Sequence, residues 1–168
     1  MKADEIEKLE EPKLNYKMTD LEPVMSKETV ELHFGTLTRN YVKKYNETKD
    51  PFQYAGAFLH SIWWKQFDRG VNRPGQNFLK LVGGNFTDFK DKFVETALTI
   101  QGAGWIYLNK KGEIKIIKNH EVKKDIVLII DMWEHAFLLD YKANKKKYLE
   151  NIWTIINWDT IEQRIGLS

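Results

Sequence analysis

At 168 residues, with 42% hydrophobic and 30% charged side chains, the chain has the profile of one compact unit or two small lobes sharing a core. It contains no cysteine, which excludes disulfides, thiolate ligands, iron–sulfur clusters and cysteine nucleophiles; His, Asp and Glu are left to hold any transition metal. A net charge of +2 is too small to point to nucleic acid, and the longest aliphatic run, Ile126 to Ile130, is far too short to cross a bilayer.

Met1 to Glu11 carries Asp4, Glu5, Glu7, Glu10 and Glu11 where a signal peptide needs a basic start and an apolar run. It reads as a solvated, partly disordered leader, and the cytoplasm as the default location. Lys13 to Pro23 is an irregular lead-in anchored by Tyr16 and Leu21. Ser26 caps a helix that runs to about Tyr45, with Val30, Phe34, Leu37, Tyr41 and Tyr45 at helical spacing. His33 lies on this face, four and eight residues before Leu37 and Tyr41.

The polar turn Asn46 to Pro51 leads into a second helix, from about Phe52 to Phe67, which returns antiparallel to the first. Its inner face carries Gly56, Leu59, His60, Trp63 and Trp64; by itself His60 reads as a satisfied core histidine. Asp68 to Gly75 is the expected boundary between lobes. A short helix, Gln76 to Val82, ends at Gly83-Gly84. Thr87 is expected to cap the next, Asp88 to about Gln101.

After Gly102-Ala103-Gly104 the pattern switches to strands. Trp105 to Leu108 and Ile114 to Ile117 form a hairpin around Asn109 to Gly112, and Ile126 to Ile130 makes a third strand. The loop Asn119 to Lys124 holds His120. Helices over Trp133 to Tyr141 and Lys146 to Ile156, with a last turn from Asp159 to Ile165, close the chain. The basic run Lys145 to Lys147 is a solvated helix start.

Asp131 and His135 stand where the third strand ends. D-x-x-x-H alone is weak, since such a pair is more often a surface pair or a cap. The chain has only four histidines, His33, His60, His120 and His135, each on an apolar face or near a strand end. Three imidazoles and one carboxylate are a recognised ligand type for iron or manganese, which zinc would also accept.

Asp131-Met132-Trp133-Glu134-His135-Ala136-Phe137 resembles the D-x-W-E-H-A-Y signature of the iron/manganese superoxide dismutases. The resemblance covers most of the chain. It takes in Leu14 to Pro23, Leu32-His33 with Asn40-Tyr41-Val42, Leu59-His60-Ser61 with Trp63-Trp64, and Gly102 to Trp105. Tyr148-Leu149, Trp153 and Ile156 to Trp158 extend it to the closing helices. With the element order, it implies an α+β fold: an N-terminal helical hairpin plus a C-terminal domain with a three-stranded antiparallel sheet and surrounding helices. Residues 1–70 would form the leader and hairpin domain, and 71–168 the C-terminal domain.

Carried over residue by residue, the resemblance implies one Fe or Mn ion per subunit held by His33, His60, Asp131 and His135. It makes Tyr41 the gateway tyrosine and Trp63, Trp64 and Trp133 an aromatic shell. It implies a homodimer in which Glu134 bonds His135 of the partner subunit. The substrate is superoxide, dismuted to dioxygen and hydrogen peroxide as the ion alternates between two oxidation states. The alternative is a structural or interaction protein that kept this fold without the activity. No nucleic-acid or membrane partner is expected.

The chain also departs from the family pattern. Of the two positions from which the family places a glutamine beside the bound solvent, Gly56 matches the first as in manganese-type members, and His120 stands at the second. There, one ring nitrogen would face the solvent and the other would bond a nearby group that fixes the tautomer. Otherwise His120 is a loop histidine. Leu37 replaces a gateway histidine, Leu138 the tyrosine that reaches it from the partner, and Leu59 the usual asparagine. The turn between the first two helices is also short.

Overall fold

A computed structural model describes residues 7–68 and 73–166. The middle of the expected lobe boundary and Met1 to Ile6 lie outside the described residues. Within the described part of the leader, Leu9 and Glu11 are tied to Asn46 and Arg39. The Leu9 backbone exchanges two hydrogen bonds with the Asn46 side chain, at 2.7 and 2.9 Å.

The first helical segment is continuous but not uniform. It comprises α1 (Lys27–Val30), a π-helical stretch (Glu31–Thr38) and α2 (Arg39–Thr48). Ser26 caps it by accepting from the Thr29 N–H, and Lys49 ends it in the left-handed region at φ 57°. Asp50 caps α3 (Pro51–Lys65), with proline in the first turn, where its missing N–H costs no helical bond. The α2–α3 hairpin buries Tyr45, Leu59, Trp63 and Trp64. Among the described residues, no helix is long and apolar enough to cross a membrane.

In the C-terminal part come α4 (Gln76–Leu81) and α5 (Phe86–Leu98), then β1 (Gly104–Asn109), β2 (Ile114–Lys118) and β3 (Ile126–Asp131). Asn85, not Thr87, caps α5: its side chain accepts from the Asp88 N–H, so the helix starts earlier than the sequence suggests. The sheet is antiparallel in the order β2-β1-β3, with Trp105 opposite Asp131 and Ile106 opposite Ile130. All six positions of β1 and of β3 are buried.

The expected helix from Trp133 to Tyr141 is broken. Trp133 is extended, a 3-10 turn spans Glu134–Ala136, and α6 covers only Leu138–Tyr141. The next helix also divides, into α7 (Lys145–Asn151) and a 3-10 turn (Ile152–Ile155). The last turn is a longer helix, α8 (Trp158–Gly166). Phe78, Phe89, Phe93, Trp153 and Trp158 join these helices in an aromatic cluster beside the sheet.

Candidate metal centre

The hairpin and the end of the sheet meet at four side chains: His33 from the π-helical stretch, His60 from α3, Asp131 at the end of β3, and His135 in the following 3-10 turn. Their ligand atoms all lie within 4.8 Å of one another. The Asp131 Oδ2 is 2.9 Å from His33 Nε2, 3.1 Å from His135 Nε2 and 3.5 Å from His60 Nε2. The two histidines of the hairpin approach at 3.0 Å through their Nε2 atoms. Atoms that share one ion at ~2 Å lie roughly 3–4 Å apart, so the cluster has the dimensions of a mononuclear site. His33, His60 and Asp131 are fully buried; the His135 side chain is 15% exposed.

Hydrogen bonds around the cluster select which atom His60 and Asp131 present. His60 Nδ1 donates to the Gly56 carbonyl at 2.7 Å, which leaves the Nε2 lone pair facing the cluster. Asp131 Oδ1 accepts from the Trp133 N–H at 2.8 Å, so Oδ2 alone faces the imidazoles. The Tyr148 hydroxyl donates to the Asp131 carbonyl at 2.8 Å. Burial drives His33 down to about 3, so the ring is neutral, the form that coordinates a metal. Burial raises Asp131, but the surrounding imidazoles, His135 foremost, outweigh it and hold the carboxyl well below the usual carboxylate range. Three imidazoles around one ionised carboxylate are a donor set that fits a transition-metal cation.

The π-helical stretch aims His33. In such a stretch, residues five apart lie one above the other. The Thr38 hydroxyl accordingly donates to the His33 carbonyl at 2.8 Å and accepts from the Trp64 indole at 2.9 Å. The hairpin partner thereby braces the backbone of the first candidate ligand.

Tyr41 and His120 sit together at the rim. Tyr41 stacks on His60 with ring centroids 5.1 Å apart, and its hydroxyl lies 2.7 Å from His120 Nε2. Trp105 Nε1 donates to His120 Nδ1 at 3.1 Å. Trp133 stacks on His120 at 4.4 Å and on His135 at 5.6 Å. Burial raises Tyr41 to about 12, with the Asp131 charge adding to it, and lowers His120 to about 4. Gly56 is required here: a Cβ would stand 2.5 Å from Tyr41 Cδ1. That position is thus closed to a side chain while Tyr41 keeps its place.

Every sequence-derived candidate is therefore in one neighbourhood. Sequence reasoning missed Thr38, and it assigned no site role to Trp105 or to the Tyr148 hydroxyl. Thr38 follows His33 by five residues, a spacing that signals contact only once the helix is known to widen.

Three imidazoles and one carboxylate, gathered between a helical hairpin and an antiparallel sheet, form a candidate centre for a single metal ion. Two family models match the chain: the alpha-hairpin domain of the iron/manganese superoxide dismutases over residues 8–55, and their C-terminal domain over residues 77–164. The superoxide dismutase [Fe] of Sulfolobus acidocaldarius is 29% identical, covering 96% of this chain and 95% of its own length. The superoxide dismutase [Mn/Fe] of Aeropyrum pernix is 30% identical, covering 92% and 89%. The superoxide dismutase [Mn], mitochondrial, of Neurospora crassa is 31% identical, covering 91% and 79%. The chain belongs to the iron/manganese superoxide dismutase family.

Proposed function

We propose that the chain is a superoxide dismutase that converts superoxide to dioxygen and hydrogen peroxide with one Fe or Mn ion per subunit, held by His33, His60, Asp131 and His135. The observation that carries this reading is the buried convergence of His33, His60 and His135 Nε2 on Asp131 Oδ2. Under the proposed division of the chain into residues 1–70 and 71–168, each part supplies two ligands. The names of the relatives include Fe, Mn and Mn/Fe, and both metals fit these donors. A scaffold without activity would gain nothing from so many buried ionisable groups, whose desolvation is costly.

An Fe or Mn ion held by His33, His60, Asp131 and His135 would supply the one-electron redox chemistry that converts two superoxides and two protons to dioxygen and hydrogen peroxide. The protein's part is to hold the donors, exclude water and deliver protons. Tyr41, raised to about 12, keeps its hydroxyl proton at neutral pH. Its oxygen accepts the His120 Nε2–H, so its own proton is free to point into the site. Tyr41 is half-buried and bridges the cluster to the surface. We assign Tyr41 and His120 to proton delivery on this geometry.

His135 opens to the surface beside Glu134, and Leu138 and Leu139 are 47% and 50% exposed on the segment that follows. This supports a homodimer in which Glu134 bonds His135 of the partner subunit. The cytoplasm is the proposed location, carried by the sequence reading alone. Asp131→Asn and His60→Ala test the function: each is expected to lose bound metal and dismutase activity together. A variant that keeps full activity removes its residue from the ligand set.

A further inference from the structure

β3 is an edge strand, yet its outer edge is not open. Every second residue of an antiparallel edge strand turns its backbone groups away from its neighbour. Here these are Val127, Ile129 and Asp131, and each is met by a side chain instead of a fourth strand. Arg164 Nη1 donates to the Val127 carbonyl at 3.1 Å. The Gln66 amide pairs with Ile129 in both directions, accepting from its N–H at 3.2 Å and donating to its carbonyl. The Tyr148 hydroxyl takes the Asp131 carbonyl, as described above.

Two of these side chains also hold α3. Gln66 directly follows that helix. Its N–H bonds the Trp63 carbonyl, so it does not serve Ile62 as a regular helical turn would. Arg164 Nη2 donates to the Ile62 carbonyl at 2.7 Å, and its Nη1 also reaches Gln66 Oε1 at 3.2 Å. Only a planar guanidinium can meet these oxygens at once; an ammonium is a point charge. Gln66 is fully buried, and Arg164 is partly buried. Two residues before Ile62 stands His60, and two after Ile129 stands Asp131.

We propose that Gln66 and Arg164 are positioning residues for the metal centre: they fix the distance between the helix that carries His60 and the strand that carries Asp131. The inference rests on the metal-binding reading above and deepens it. Neither residue touches the cluster. They set its dimensions, because any slide of α3 along β3 must first break the paired amide and the guanidinium fork. The size and symmetry of the donor set, which govern how well Mn(II) or Fe(II) fits, are then determined from the far end of both elements.

The test compares full-length wild type with Gln66→Met, Arg164→Lys and Tyr16→Phe, each loaded with Mn(II). Tyr16 donates to the Trp64 carbonyl at the same helix end at 2.7 Å, so its loss removes a comparable bond that does not involve β3. Circular dichroism and thermal unfolding report the fold. Chelator competition gives the Mn(II) dissociation constant, and electron paramagnetic resonance reports the symmetry at the ion. Gln66→Met and Arg164→Lys are expected to weaken Mn(II) binding by about 10-fold or more and to change the resonance pattern. Tyr16→Phe is expected to lower the melting temperature and leave both unchanged.

Wild-type affinity and spectrum in either folded clamp variant overturn the proposal, as does an equal change in Tyr16→Phe. Failure of both clamp variants to fold also overturns it, since the pair would then determine the fold and not the metal geometry. A wild type that binds neither Mn(II) nor Fe(II) removes the metal reading itself, and this inference with it.

Discussion

The Nε2 of His120 lies 2.7 Å from the hydroxyl oxygen of Tyr41, while its Nδ1 accepts from the Trp105 indole. An indole N–H can only donate, so Nδ1 is the acceptor and the single proton of the neutral ring sits on Nε2. That proton goes to Tyr41. A glutamine amide has two N–H groups to share, whereas neutral imidazole has one. Trp105 thus fixes the tautomer, and Tyr41 is the group through which His120 is proposed to act.

His120→Ala is therefore expected to keep the metal and lose activity by about 10²-fold, the scale of a lost proton-transfer partner. His120→Gln is expected to keep the metal and shift both rate and metal preference. Steady-state superoxide decay with the Mn-loaded and Fe-loaded proteins measures this. If His120→Ala dismutes at the wild-type rate with either metal, His120 is a bystander.

Thr38→Val removes the hydroxyl that links Trp64 to the His33 carbonyl and leaves a buried indole N–H without its acceptor. The expected cost is about 2 kcal/mol of folding stability, with weakened metal binding because His33 loses its brace. Urea unfolding and metal titration read the two effects separately. Unchanged stability and affinity would show that the π-helical stretch holds His33 without this contact.

Low pH should unfold the metal-free protein by way of its buried imidazoles. The folded pKa of His33 is depressed from 6.5 to about 3, and that of His120 to about 4. A depressed histidine adds stability that is complete above its unfolded pKa and is lost as pH falls toward its folded one. The loss should begin near pH 6.5 and proceed at about 1.4 kcal/mol per pH unit for each group. Urea midpoints between pH 7 and pH 5 test the slope; a flat profile contradicts the neutral, buried assignment of both rings.

Much of this was legible in the sequence because the candidate donors are so few. Four histidines and one aspartate at the end of an aliphatic strand narrow the choice, and the family resemblance around Asp131 implied which of them are the candidate ligands. The hairpin and the three strands followed from apolar spacing. The π-helical stretch did not, since Val30, Phe34, Leu37 and Tyr41 fit an ordinary helix equally well. Asn85 and Thr87 are both good caps, and only packing selects the first. The seal on β3 was invisible because Gln66 and Arg164 act on backbone groups 63 and 37 residues away, which leaves no local pattern. The broken helix after Trp133 has a similar cause: bonding Asp131 Oδ1 through its N–H holds Trp133 extended, against its helical neighbours.

Glu134→Ala should shift the protein from dimer to monomer and loosen the metal, since the carboxylate is proposed to bond His135 of the partner subunit. Analytical ultracentrifugation at micromolar concentration checks the mass. A variant with wild-type dimer affinity and metal content would remove Glu134 from the interface.

The most direct measurement is to determine the metal content of the purified wild-type protein and its rate of superoxide decay in the same sample, across preparations loaded to different extents with Mn or Fe. One ion per subunit at saturation, with dismutation rising in proportion to bound metal, is the predicted result. A protein that fills with metal and leaves superoxide decay at its uncatalysed rate would contradict it.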